Sequence, residues 1–158
     1  MFKKIKPYVV SILIALAVGG LSALATSGTM NIYSEITKPP LAPPAILFPI
    51  VWTVLFVLMG VGSAGVYVKI KNDNLPTTAL TVYAINLGAN FLWSIIFFNL
   101  RAFLFASVWL MLLIAIIITM IIEFKKVRPW TAYLQIPYLL WCLFALYLSL
   151  AIAIQTRF

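Results

Sequence analysis

The chain contains no histidine, one cysteine and three acidic residues in 158. Without histidine there is no histidine general base, no histidine–nucleophile dyad and no histidine-bound catalytic metal; haem could be held only by weaker candidates such as Tyr, Met or Cys142. The acids, Glu35, Asp73 and Glu123, fall at the ends of apolar runs or in the loops between them, so no buried carboxylate is available for a proton relay or for proton-coupled cation export. Cys142 sits inside the last apolar run and has no partner for an intrachain disulfide. Charged residues make up only 9% of the chain against 65% hydrophobic. A chain of this size could not bury so much apolar surface from water, which excludes a water-soluble core.

The few charges divide the chain into apolar runs. Residues 7–34, 39–68, 74–100, 102–122 and 129–156 carry no charge. Each run meets the roughly 20 residues that a helix needs to cross the hydrocarbon core. The reading is an all-α membrane protein, a single domain over 1–158 built as a bundle of five transmembrane helices. Expected spans are about 7–25, 44–68, 76–99, 102–123 and 129–155, with a proline-rich lid over 26–43. The start of the chain, with three lysines, an apolar run and Ala23-Leu24-Ala25, imitates a secretory signal; because the run continues without a break it is read as an uncleaved first helix.

An odd number of spans puts the termini on opposite sides. Lys3, Lys4, Lys6, Lys69, Lys71, Lys125, Lys126 and Arg128 share one side, and Lys38, Arg101 and Arg157 the other. The positive-inside rule then predicts a cytoplasmic N-terminus, an external C-terminus and a lid that faces outward. The net charge of +8 follows from this asymmetry and from contact with anionic headgroups, so no nucleic-acid partner is expected.

Within the runs, small residues and prolines indicate how the helices pack. Ser11, Ala15, Gly19 and Ala23 form a small-residue stripe suited to close helix approach in lipid. Gly60, Gly62 and Gly65 satisfy the GxGxxG dinucleotide pattern, but inside an apolar helix they read as packing glycines. Helices 3 and 4, separated only by Leu100 and Arg101, are expected to be antiparallel neighbours. Helix 4, free of glycine, proline and asparagine, reads as a scaffold against lipid. Pro137 in helix 5 is expected to free the Tyr133 carbonyl and bend the helix.

Polar groups within hydrocarbon must find a partner or face a cavity. Asn86, Asn90, Trp93 and Phe97 form one stripe on helix 3; Pro137, Trp141, Ala145 and Ser149 form another on helix 5, and Trp52, Phe56 and Gly60 a third on helix 2. For Asn86 and Asn90 interhelical glue is the plainer reading. Trp130, near a span end, reads as an interfacial anchor. A site made of aromatics and a few amides is suited to a flat apolar ligand, with no metal and no required cofactor.

The string Tyr33, Lys38-Pro39-Pro40-Leu41-Ala42-Pro43-Pro44, Phe48-Pro49-Ile50-Val51-Trp52-Thr53 and Met59-Gly60 resembles the first loop and second helix of the tryptophan-rich sensory protein, or translocator protein (TspO/MBR), family. Asn86, Asn90 and Trp93, and the run from Pro137 to Ala145, are similar as well. The resemblance covers the whole chain. It implies a five-helix bundle, often a homodimer, that binds porphyrins and, in mitochondrial relatives, cholesterol and benzodiazepine- or isoquinoline-type drugs. The ligand-binding residues it implies are Tyr33, Pro43, Trp52, Asn90, Trp93, Trp141 and Ala145, to which the helix 3 stripe adds Asn86. The chain departs from the pattern at Leu41, where many relatives carry an aromatic. It also lacks a basic residue close after Tyr147, so sterol recognition there is not expected, and the looser match at Val61, Tyr67 and Lys69 is too permissive to count.

The leading function is thus a membrane receptor or sensor for tetrapyrroles such as protoporphyrin IX, in a pocket between helices 1, 2, 3 and 5. One alternative is a light-dependent porphyrin-degrading enzyme, in which Trp52 and Trp141 would be the catalytic residues; no conventional catalytic residue is present. Another is a small transporter of porphyrin or lipid, against which stand the lack of intramembrane acids and of an evident inverted repeat. The orientation has a direct test. In a Cys142→Ala background, Ser34→Cys is expected to react with an impermeant thiol reagent added outside intact cells; labelling only after lysis would reverse the orientation.

Overall fold

The computed structural model describes residues 2–26 and 47–155. Most of the lid, with Tyr33 and Pro43, and the expected start of helix 2 at Pro44 lie outside the described residues. The elements are α1 (Phe2–Thr26), α2 (Leu47–Asp73), α3 (Thr78–Ser94) continued by a π-helical turn (Ile95–Asn99), α4 (Phe103–Val127), α5 (Pro129–Tyr133) and α6 (Ile136–Gln155). No strand occurs among the described residues. Five stretches are long and apolar enough to span a bilayer: Lys4–Ala25, Leu47–Asp73, Thr78–Asn99, Phe103–Val127 and Pro129–Gln155. The protein is an all-α integral membrane protein.

The first helix begins at Phe2, ahead of the first charge-free run, and accommodates Pro7 in its second turn. Its contacts are made mainly with α2, through the small residues seen in the sequence. Ala15 is fully buried, and a Cβ on Gly19 would press on the Phe56 ring at 2.8 Å. The glycines of α2 are packing glycines. A Cβ on Gly60 would lie 2.5 Å from the Ile12 Cα, one on Gly62 would collide with Gln135 Nε2, and one on Gly65 would meet Trp130 at 2.7 Å. Each glycine admits a different neighbour.

The α2–α3 turn passes through Asn74 at φ 57°, a left-handed conformation that asparagine tolerates better than most residues. At the other end of α3 the π-helical turn closes with Leu100 N–H bonded to the Ile95 carbonyl at 3.0 Å, and Arg101 turns the chain at φ 51°. Helices α3 and α4 are antiparallel neighbours, joined by Trp109 Nε1 donating to the Ala89 carbonyl at 2.8 Å. One face of α4, including Leu110, Leu113, Ile117 and Met120, is buried against the bundle, while Val108, Met111, Leu112 and Ile122 remain exposed for lipid.

The fifth span is broken at Leu134 and Gln135, between α5 and α6. Pro137 has no N–H to give the Tyr133 carbonyl, as the sequence predicts, but a side chain also takes part. Gln135 N–H bonds the Ala132 carbonyl at 3.0 Å instead of that of Thr131. Gln135 Nε2 then donates to the Thr131 carbonyl at 3.3 Å and, across the bundle, to the Leu58 carbonyl of α2 at 3.1 Å. The break is therefore locked to the helix beside it.

Close packing at Gly60 yields a stability test. Gly60→Ala forces a methyl group against backbone and is expected to cost about 1–3 kcal/mol. Gly88→Ala, with nothing within 4 Å of the added carbon, is expected to be neutral or stabilising. Thermal unfolding of the two variants in detergent, read by a buried-thiol dye on Cys142, would show the split; equal melting temperatures would refute the close approach.

Candidate functional site

A cavity of about 350 Å³ opens between α1, α2, α3 with its π-helical turn, and α6. Helix α1 contributes Leu16, Gly19 and Ser22; α2 contributes Phe48, Pro49, Trp52 and Phe56. From α3 and the π-helical turn come Asn90, Trp93, Phe97 and Phe98, and from α6 Trp141, Ala145, Leu148 and Ser149. No residue of α4 takes part and, among the described residues, no charged side chain lines the wall.

The wall is a web of aromatic rings. Trp52 lies with its ring centroid 5.8 Å from Phe56, 6.5 Å from Trp93 and 6.2 Å from Tyr138. Trp93 stacks on Phe97 at 5.3 Å, and Phe97 meets Phe98 edge-on at 4.9 Å. Trp141 is met edge-on by Phe48 at 5.7 Å. An α-helix would splay adjacent residues about 100° apart; in the wider π-helical turn both Phe97 and Phe98 reach the cavity.

Polar groups behind this wall are almost fully matched. The Tyr138 hydroxyl donates to Asn86 Oδ1 at 2.7 Å and accepts from Asn90 Nδ2 at 2.8 Å. Asn86 Nδ2 points to Met59 Sδ at 3.8 Å. Ser149 Oγ is paired with Ser107 Oγ at 2.7 Å. Two donors on the wall are not matched: the indole N–H groups of Trp93 and Trp141 are buried with no hydrogen-bond partner among the described residues. An acceptor brought by a ligand would satisfy them, and an indole N–H left unsatisfied in an apolar site is costly.

Of the residues singled out in the sequence, Trp52, Asn90, Trp93, Trp141 and Ala145 come together on this wall, from three different spans. Asn86 does not line it; it lies behind the wall with 0% exposure, engaged by Tyr138 and Met59. Gly60 and Pro137, extrapolated from their stripes, are also absent from the wall. Trp130 is 41% exposed near the end of its span, 5.9 Å from the Arg128 guanidinium, and takes no part. Tyr138 and Phe98 were not identified as site residues in the sequence. A buried tyrosine needs a hydroxyl partner, so Tyr138 could have been paired with the asparagines; nothing in the local sequence announces the π-helical turn that delivers Phe98.

A profile of the TspO/MBR family matches residues 11–155. The chain belongs to the TspO/MBR family. It is 34% identical to the tryptophan-rich protein TspO of Chlorobaculum tepidum over 96% of this chain and 97% of that one. The tryptophan-rich protein TspO of Archaeoglobus fulgidus is 36% identical over 91% of this chain and 93% of its own length. The translocator protein of Ovis aries is 30% identical over 74% of this chain and 70% of its own. Sequence similarity to family members from a bacterium, an archaeon and a mammal thus extends over most of their lengths.

The Tyr138 bridge can be weighed directly. Tyr138→Phe strands one buried asparagine donor and one acceptor, and is expected to lower stability by about 1–2 kcal/mol, the scale of interhelical hydrogen bonds in membranes. Tyr83→Phe removes a buried hydroxyl that has no close hydrogen-bond partner among the described residues and is expected to cost far less. Equal losses in a detergent melt would show that the bridge contributes nothing.

Proposed function

We propose that the protein is a membrane receptor or sensor that binds a tetrapyrrole, protoporphyrin IX or a close relative, in the cavity between α1, α2, α3 and α6. The observation that carries the reading is an uncharged wall of tryptophans from three spans on which two indole donors lack acceptors. A macrocycle with apolar faces offers stacking surface, and its carbonyl or carboxylate substituents offer acceptors. The family supports the reading through the words "tryptophan-rich sensory protein", which name a Cereibacter sphaeroides relative 29% identical over 75% of this chain. In this reading the N-terminus is cytoplasmic and the membrane is the bacterial cell membrane. Isoquinoline- or benzodiazepine-type molecules, also flat and apolar, would compete for the same wall.

A second reading, light-dependent porphyrin breakdown, draws on the position of Trp52, whose ring contacts both Trp93 and Tyr138. These side chains are the oxidisable ones, and irreversible bleaching of a bound porphyrin under light, abolished by Trp52→Phe, would select it over simple binding.

The binding reading stands on aromatic contact energies. Trp52→Leu and Trp141→Leu are each expected to weaken protoporphyrin binding roughly 2- to 12-fold, from about 0.5–1.5 kcal/mol per aromatic pair at tenfold per 1.4 kcal/mol. Trp130→Leu is expected to leave it unchanged. Titration followed by the porphyrin absorbance shift reads all three; equal losses at Trp130 and Trp141 would mean partitioning into the bundle or its detergent and would refute the receptor.

A further inference from the structure

At the opposite end of α1 lies a second concavity, of about 710 Å³, which shares no residue with the first. It runs between α1, α2 and α3, with Lys6 and Lys71 at its mouth and Val10, Ile14 and Leu87 along its length. Val10 and Ile14 are 44% and 50% exposed, so the groove lies open to the side, where acyl chains surround the protein. From Lys6 to Ile14 the helix advances about 12 Å, close to the depth of one leaflet. The groove is therefore a headgroup-to-tail slot in its dimensions.

Its charges also point one way. Asp73 is paired with Lys69 at 2.6 Å and Glu123 with Lys126 at 3.2 Å, whereas Lys6 and Lys71 have no ion pair among the described residues. Within the groove the Tyr83 hydroxyl, on a residue 8% exposed, faces Ser63 but has no close hydrogen-bond partner among the described residues, and the Ser63 hydroxyl itself donates to the Gly60 carbonyl at 3.2 Å. A cationic mouth, an apolar trough and an unmatched donor between them suit an anion, an acyl chain and an ester carbonyl in that order.

We propose that this groove is a binding site for one anionic phospholipid, with its phosphate between Lys6 and Lys71, its ester carbonyl accepting from Tyr83, and an acyl chain laid against Val10, Ile14 and Leu87. A second copy of the chain is the other apolar occupant to consider. Two-fold packing through this groove would bring Lys6 and Lys71 of both copies together, and like charges oppose it. The lipid neutralises them instead.

The test is native mass spectrometry of the protein exchanged into equal amounts of phosphatidylglycerol and phosphatidylcholine. The wild type is expected to retain one phosphatidylglycerol in preference. The double variant Lys6→Gln, Lys71→Gln is expected to weaken that retention on the order of tenfold. Lys125→Gln with Lys126→Gln, which removes as much charge at the same end of the bundle, is expected to leave it intact. Ala84→Trp, at an exposed groove position, keeps both lysines and is expected to displace the lipid by filling the trough. Tyr83→Phe is expected to weaken retention of both lipids alike, since both carry esters. Equal losses from the two lysine pairs would reduce the site to diffuse attraction and overturn it, as would indifference to Ala84→Trp. Disulfide dimers of Ala84→Cys in a Cys142→Ala background that phosphatidylglycerol does not suppress would give the groove to a second copy, and the proposal would fall.

Discussion

The structure depends most on the need to satisfy polar groups where no water is present, and the Tyr138 hydroxyl is where this need shapes the site. One hydroxyl serves as donor to Asn86 and acceptor from Asn90, so α3 and α6 are held in a single register by a side chain that can satisfy both amides at once. A slip of one helix against the other by a residue would strand three buried groups together. The aromatic wall rests on this bridge: Trp93 is three residues beyond Asn90 on α3, Trp141 three beyond Tyr138 on α6, and Trp52 lies against the Tyr138 ring. The positions of the tryptophans are thus set by hydrogen bonds that the cavity does not display.

Gln135 extends the same logic to α2. Its amide takes the Thr131 carbonyl released by the break before Pro137 and reaches the Leu58 carbonyl, beside a glycine that leaves it room. Proline alone would produce a bend of unspecified direction. The glutamine fixes where the bent segment sits, and Gly62 is small because that amide fills the space a Cβ would take. Glycine, glutamine and proline, separated in sequence, act here as one joint.

Five spans, the antiparallel pairing of α3 and α4, and the packing role of the α2 glycines were legible in the sequence because each depends on local quantities: run length, loop length and residue size. Trp52, Asn90, Trp93, Trp141 and Ala145 were legible because helical stripes project to one face. Asn86 shares the stripe of Asn90 yet lies behind the wall, since a stripe gives an azimuth and not a depth, and depth is decided by Tyr138 on another helix. Phe98 was hidden by a π-helical turn, whose extra residue defeats any count in steps of three and four. Gln135 was overlooked beside Pro137 because its partners, Leu58 and Thr131, are backbone carbonyls that leave no mark on a side-chain pattern.

Two concavities at opposite ends of one bundle differ in how they treat charge. Among the described residues the wall around Trp52 has no charged side chain and presents two unmatched indole donors, so it discriminates by flatness and by the placement of a few acceptors. The groove at Lys6 and Lys71 places at its mouth two cations with no ion pair among the described residues, where a headgroup remains partly hydrated and the Coulomb term is screened but not cancelled. A flat ligand in the first cavity would stack its apolar faces on the rings and offer acceptors to the indoles, whereas a neutral molecule in the groove would leave both lysines without a counter-ion. Helix α1 lines both, with glycine and serine near one end and lysine near the other, and it packs on α2 between them at the Gly60–Ile12 approach.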